Sequence, residues 1–275
     1  MIMSMMYPSK LIYGYIVIAN IFSNFDARNE NIMLDTKRDI ITKLQKDILL
    51  WEGFKPPQTD NGDTFGLGPI EAAFPNGVFP VGALHELVCP TSEQTAATTG
   101  FIAGILGKLM KQDGVCFWIG SSRKLFPSSL SVFNIEPDRI IFVDLKRERD
   151  VLWVTEEALK CEGLTAVIAE LQDINIAQSR RLQLAVESSK VTGFILRNDL
   201  YKAKTSTCVA RWRISPIPSK TEDDLPGVGF PRWEVELLKV RNGNPGVWRM
   251  EWAGGSFVSL DEKVIAHETL ERRAV

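Results

Sequence analysis

The sequence predicts an α/β protein with a mostly parallel sheet covered by helices on both faces. Three observations predict it. Apolar runs recur at Ala83–Val88, Val115–Ile119, Ile140–Leu145, Ala166–Leu171 and Thr192–Arg197; strands buried on both faces read this way, without the alternation of a half-exposed strand. Helical segments separate these runs, and such alternation builds parallel sheets. After about residue 200 the pattern changes: Cys208, Ala210, Trp212 and Ile214 alternate with Val209, Arg211 and Arg213, the period of a strand with one covered face.

The elements follow in order. From Thr36 the pattern T-K-R-D resembles a capping box with Asp39 in the usual Glu/Gln place, and Ile40, Leu44 and Ile48 follow at helical spacing. Gly53 to about Pro80 reads as a loop rich in Gly, Pro and Asp. Thr91 or Ser92 caps a helix, rich in small residues, that runs to about Lys111. Asp150 is the expected cap of VLWVTEEALK, and a further helix runs from about Asn175 to Lys190. Ser215 to Pro231 is a loop; Arg232–Arg241 and Val247–Trp252 then flank N-G-N-P-G as a β-hairpin. The expected organisation is an extension at 1–32, a helix and linker at 33–80, the α/β core at 81–200, a C-terminal β extension at 201–260 and a tail at 261–275.

Composition narrows the class. A chain of 275 residues, 45% hydrophobic and 24% charged, supports a sizeable core and excludes bulk disorder. A net charge of −2 gives no overall footprint for a polyanion, so nucleic-acid contact requires a local patch. The four cysteines lie far apart without a C-x-x-C pair, and two histidines accompany them, so no metal site is expected. That usage suits a reducing cytosol, and a cytoplasmic location is expected. Cys116 and Cys161 fall in apolar or helical runs and read as buried thiols. The apolar run Leu11–Phe22 is too short to span a bilayer as a helix, and no small-residue cleavage pattern follows it. Residues 1–32 are therefore expected to be a non-native or disordered extension, with the natural start at Met33.

The turn after the first strand is where such a sheet binds phosphate, because backbone N–H groups and a helix N-terminus converge there. A working phosphate loop needs two glycines to wrap the phosphates, a lysine for their charge and a Ser/Thr for magnesium. Here the segment is Cys89, Pro90, Thr91, Ser92, Glu93, Gln94, Thr95. This segment resembles the RecA phosphate loop, and the resemblance implies that Cys89 and Gln94 stand at its glycine positions and Thr95 at its lysine, while Glu93 adds a repelling charge. The same resemblance to RecA-like ATPases implies a water-activating glutamate after VCFWIG, where Ser121, Ser122 and Arg123 stand here, and a magnesium-supporting aspartate where AVIAEL ends in Glu170. The expectation is a degenerate loop without enzyme activity, nucleotide or other cofactor.

The segment E-L-V-C-P-T-S-E-Q-T resembles the RecA phosphate loop. Together with F-P-V-G-A-L-H-E-L-V (79–88), R-E-R-D-V-L-W-V-T-E-E-A-L (147–159), A-V-I-A-E-L (166–171), R-R-L-Q-L-A-V-E-S (180–188) and G-F-I-L-R (193–197), it resembles the ImuA family. W-E-G-F (51–54) is similar to the start of one branch of that family. The resemblance implies a RecA-like core and a non-catalytic accessory role in SOS-induced, error-prone translesion DNA synthesis. Its implied partners are ImuB, a catalytically inactive Y-family polymerase relative, RecA, and a specialised polymerase subunit, with no membrane involved. Two other readings stay open: a SulA-like inhibitor binding the tubulin-like division protein, and a working RecA-type ATPase.

Single-stranded DNA is a further candidate partner. Residues 202–249 carry nine Lys/Arg against five Asp/Glu, interleaved with Trp212, Trp233 and Trp248, a combination that suits stacking and phosphate contact. Arg211, Arg213, Arg241 and Trp212 are the candidate contacts; the alternative is a solvated sheet face with its tryptophans in the core. RecA's first DNA loop has little room here, since few residues separate Glu170 from Arg180–Arg181. Trp153 reads as a core anchor, Glu156 and Glu157 as solvated or helix-start charges, and His85, without a nearby nucleophile, as non-catalytic.

Overall fold

The computed structural model describes residues 65–260 apart from 112–113, 122, 124, 199–205 and 220–228, together with Ile40, Lys43 and Leu44. The chain divides into Met1–Glu52 and Gly53–Val275. In the first unit Ile40, Lys43 and Leu44 are helical, at positions where the spacing predicts a helix; the extension at 1–32 and the tail at 261–275 lie outside the described residues.

The second unit is built on one nine-stranded sheet in the order β3-β2-β4-β5-β1-β6-β7-β8-β9. Its strands are β1 (Leu84–Val88), β2 (Cys116–Gly120), β3 (Ile140–Asp144), β4 (Ala166–Leu171), β5 (Thr192–Arg197), β6 (Ala210–Ile217), β7 (Arg232–Val240), β8 (Gly246–Ala253) and β9 (Ser256–Ser259). The first six pair in parallel and β6 to β9 pair antiparallel. The C-terminal hairpin therefore continues the core sheet through β6, and β9 is an added strand that the sequence reading did not include.

Helix α1 (Ser92–Leu109) lies on one face; α2 (Glu148–Leu159) and α3 (Ile176–Ser189) pack on the other. Each helix predicted within this unit is present, with one difference in capping. Helix α2 starts at Glu148, so Asp150 sits inside its first turn rather than at the cap, where it complements the helix dipole. Helix α3 has a full capping box formed by Asn175 and Gln178.

The stretch read as a loop before Pro80 is, from Phe65 onward, part of the core. Short 3-10 turns at Gly68–Ala73 and Pro75–Gly77 bury Leu67, Ile70, Phe74 and Phe79 against the α1 face. Glycine and proline masked this, because they set the turns while the apolar residues between them have no regular period. Helix α1 carries Gly100, Gly104 and Gly107 toward Trp233, Phe257 and Phe133, so aromatic rings from β7, β9 and the 3-10 segment Pro127–Phe133 approach its backbone. Burial alternates along β6, β7 and β8: one side carries Trp212, Trp233, Val235 and Met250 into the core and the other is half-exposed.

Candidate functional site

The turn between β1 and α1 is short, and its N–H groups at Cys89, Gln94 and Thr95 are engaged from within the chain. The Cys89 N–H donates to the Arg197 carbonyl at 2.8 Å, and Pro90 has no N–H to offer. Thr91 is the N-cap of α1: its hydroxyl oxygen accepts from the Gln94 N–H at 3.2 Å. The Gln94 side chain reaches across to Ser215, 3.0 Å away. Thr95 returns its hydroxyl to the Thr91 carbonyl at 2.9 Å. The Glu93 carboxylate is held below the usual carboxylate range by its own backbone N–H first, then by the Thr91 and Ser92 hydroxyls. A helix N-terminus favours an anion, and here the chain supplies that anion itself. An incoming phosphate would meet a carboxylate, and residues 89–95 carry no lysine.

Beside this turn lies a pocket of about 580 Å³ between α1, the 3-10 segment Pro127–Phe133 and the ends of β2, β4 and β7. Ser92, Thr95 and Thr99 line its α1 side; Trp118, Trp233, Phe126 and Phe133 supply most of the remaining wall, with Glu170 among them. The Trp118 indole Nε1 donates to Glu170 Oε1 at 3.1 Å, which fixes the carboxylate against Gly120, where a Cβ would stand 3.3 Å from the Glu170 carboxyl carbon. Glu170 is thus tied to an indole in a largely apolar pocket. Among the described residues, no group of three or more His, Cys, Asp or Glu is placed to hold a metal ion.

A second polar centre lies under the other sheet face. Glu86 of β1 is buried with Arg197 of β5, and its other oxygen accepts from Arg211 Nε at 2.9 Å and from the Ser206 hydroxyl at 2.6 Å. Burial by itself would raise the Glu86 carboxyl; the Ser206 hydrogen bond and the two guanidiniums outweigh it and hold the carboxyl below its ordinary value. The buried Cys208 thiol is pushed up by burial and by Glu86 beside it, so the cluster is built for charge pairing and not for a thiolate nucleophile. On the opposite face His85 stacks on Phe79 with rings 4.8 Å apart. Its Nε2 lies 2.8 Å from the Pro80 carbonyl and its Nδ1 accepts from Trp212 Nε1 at 3.3 Å. Burial lowers its pKa to about 4, so it is neutral at physiological pH and fully engaged in packing.

The four candidate DNA contacts all have internal partners. Trp212 is 2% exposed and packs between Phe74 and Phe101, with neither ring face open to a base. Arg211 belongs to the Glu86 cluster, Arg213 pairs with Glu236 across β7 at 2.9 Å, and Arg241 donates to the Thr207 carbonyl at 2.7 Å. On the open face of β7 and β8, Arg232 pairs with Glu251 at 2.7 Å and Glu234 stands opposite Arg249. Of the basic residues described in this segment, Arg211, Arg213 and Arg232 pair with carboxylates, while Lys239 and Arg241 donate to the Ser206 and Thr207 carbonyls.

Other single residues differ from their sequence readings. Trp153 is 62% exposed on the outer side of α2 and is not a core anchor. Glu156 is buried, not solvated, and joins α2 to α3 through Arg181, with Lys160 at 3.3 Å. Cys161 is exposed because it follows the end of α2, whereas Cys116 is buried. Arg123 pairs with Asp144 at 2.8 Å and lies over the Phe142 ring. The Glu86 cluster and the Trp118–Glu170 pair were missed. Their signal was a charged residue inside an apolar strand, in HELV, AVIAEL and GFILR, since a buried charge requires a partner.

Fold and site together define a mixed α/β protein whose first strand runs through a short turn, capped by Thr91, into helix α1. No family model matches the chain. Protein ImuA of Caulobacter vibrioides strain NA1000 / CB15N is 32% identical over 200 residues, covering 68% of this chain and 82% of the relative. Protein ImuA of strain ATCC 19089 / CIP 103742 / CB 15 matches to the same extent. The chain belongs to the ImuA family. No described helix is long and apolar enough to cross a membrane.

Proposed function

We propose that this protein is a non-catalytic accessory factor of damage-induced, error-prone DNA synthesis. On this reading it works as a cytoplasmic adaptor built on a RecA-like core, with an ImuB-like Y-family polymerase relative as its first partner. RecA and a specialised polymerase subunit are further partners. The observation that carries the reading is the self-occupied start of α1, where Glu93 fills the anion position and Thr95 replaces the lysine. Without a charge to clamp the β- and γ-phosphates, the site cannot offer the electrostatic stabilisation that phosphoryl transfer depends on. Membership of the ImuA family supports the biological setting. The paired charges on the C-terminal strands favour protein over DNA as the primary ligand.

The test is co-purification of the full chain with the host's ImuB-like protein, with Mg·ATP titrated into the same sample. A stable complex and no saturable nucleotide binding are expected. Loss of the partner on a sizing column, or saturable ATP binding with turnover, overturns the reading.

A further inference from the structure

We propose that the pocket between α1 and the 3-10 segment Pro127–Phe133 is a receptor for an arginine side chain presented by a protein partner. The pocket volume of about 580 Å³ lies within the range of ligand sites, roughly 300–1,000 Å³. Its walls carry the rings of Trp118, Trp233 and Phe133, and Phe126 stands at the mouth, 71% exposed. Phe126 extends the apolar wall of the pocket out to its rim.

Charge selects the occupant. Among the described residues that line the pocket, Glu170 alone is ionisable, and it is acidic. A phosphate or carboxylate ligand would be repelled, and a purely apolar one would leave the Glu170 carboxylate desolvated without a counter-charge. A guanidinium satisfies both features: its planar donors match a carboxylate, and its faces stack on aromatic rings. The Trp118 indole holds one Glu170 oxygen at 3.1 Å and so presents the carboxylate in a fixed orientation. The aliphatic stem of the arginine would lie along Leu130 and Phe133. This inference rests on the adaptor reading, in that the site has given up nucleotide for a protein ligand.

The probe is N-acetyl-arginine amide, with N-acetyl-citrulline amide as its uncharged counterpart of the same shape. The readout is the indole N–H spectrum of the full chain, in which Trp118 is assigned by W118F. The arginine compound is expected to shift the Trp118 signal saturably, at least about tenfold more tightly than the citrulline compound, as for loss of a charge-assisted hydrogen bond. Glu170→Gln keeps the acceptor for Trp118 and is expected to abolish the difference. Phe126→Ser, at the exposed mouth, is expected to weaken binding without changing the unfolding midpoint. Equal shifts by both compounds, or no shift by either, overturn the proposal. A shift by Mg·ATP overturns the reading of the phosphate turn and the proposal with it. Arginine binding without association with the ImuB-like protein leaves the receptor standing and removes the adaptor role.

Discussion

Glu86 and Arg211 stand opposite each other on the neighbouring parallel strands β1 and β6, with Arg211 Nε donating to Glu86 Oε2 at 2.9 Å. This contact, with the Glu86–Arg197 pair, ties together three central strands, because Arg197 belongs to β5. It also joins β6, the first strand of the C-terminal region, to the central strand β1.

Removing the carboxylate should be costly. Arg197 is buried, and Glu86→Ala would leave its guanidinium without its main counter-charge. Breaking a buried pair in this way costs about 3–5 kcal/mol. We expect urea unfolding of E86A to show a loss in that range. A loss below 1 kcal/mol would mean that the cluster relaxes into solvent.

Stability should fall on mild acidification. The folded pKa of His85 is lowered to about 4 by burial, against 6.5 for the free group. Between those values the unfolded chain takes up a proton that the folded chain excludes, so stability decreases as pH falls and the change levels off near the lower value. The total is about 3 kcal/mol. Glu86, depressed in the fold, adds a further loss as pH falls below the ordinary carboxyl range and through its folded value. Unfolding midpoints at pH 7.5, 6 and 5 test the first window. In H85F the slope across it should flatten, whatever the variant's absolute stability.

Two tryptophans give opposite expectations. Trp212→Ala removes a fully buried ring and should cost about 3–5 kcal/mol, with no change in single-strand affinity beyond that of a partly unfolded protein. Trp153→Ala, at an exposed position, should change stability by no more than about 0.5 kcal/mol. Thermal unfolding and fluorescence anisotropy with labelled oligonucleotide report both. A stable W212A with weakened DNA binding would restore that residue as a contact.

Gly107 lies where α1 passes the backbone of the Pro127–Phe133 segment, and a Cβ there would collide with the Phe133 carbonyl oxygen. Alanine is the better helix former by about 1 kcal/mol, yet a backbone clash of this kind costs roughly 1–3 kcal/mol. We expect Gly107→Ala to lower the unfolding midpoint. A raised midpoint would show that the segment gives way.

The sequence by itself determined the sheet and its helices. Runs such as AVIAEL and TGFILR are apolar throughout because both faces are covered, and local periodicity and capping residues such as Asn175 and Thr91 mark where helices begin. The absence of glycine and lysine between Cys89 and Thr95 was legible for the same reason, since it depends on which residues occupy consecutive positions. Tertiary structure decided what depends on side chains far apart in the chain. Glu170 meets Trp118 across 52 residues and Glu86 meets Arg211 across 125. The burial of Trp212, the exposure of Trp153 and the pairing of the C-terminal arginines likewise follow from which face each strand or helix turns inward. A face is assigned by packing against distant elements, and composition carries no record of it.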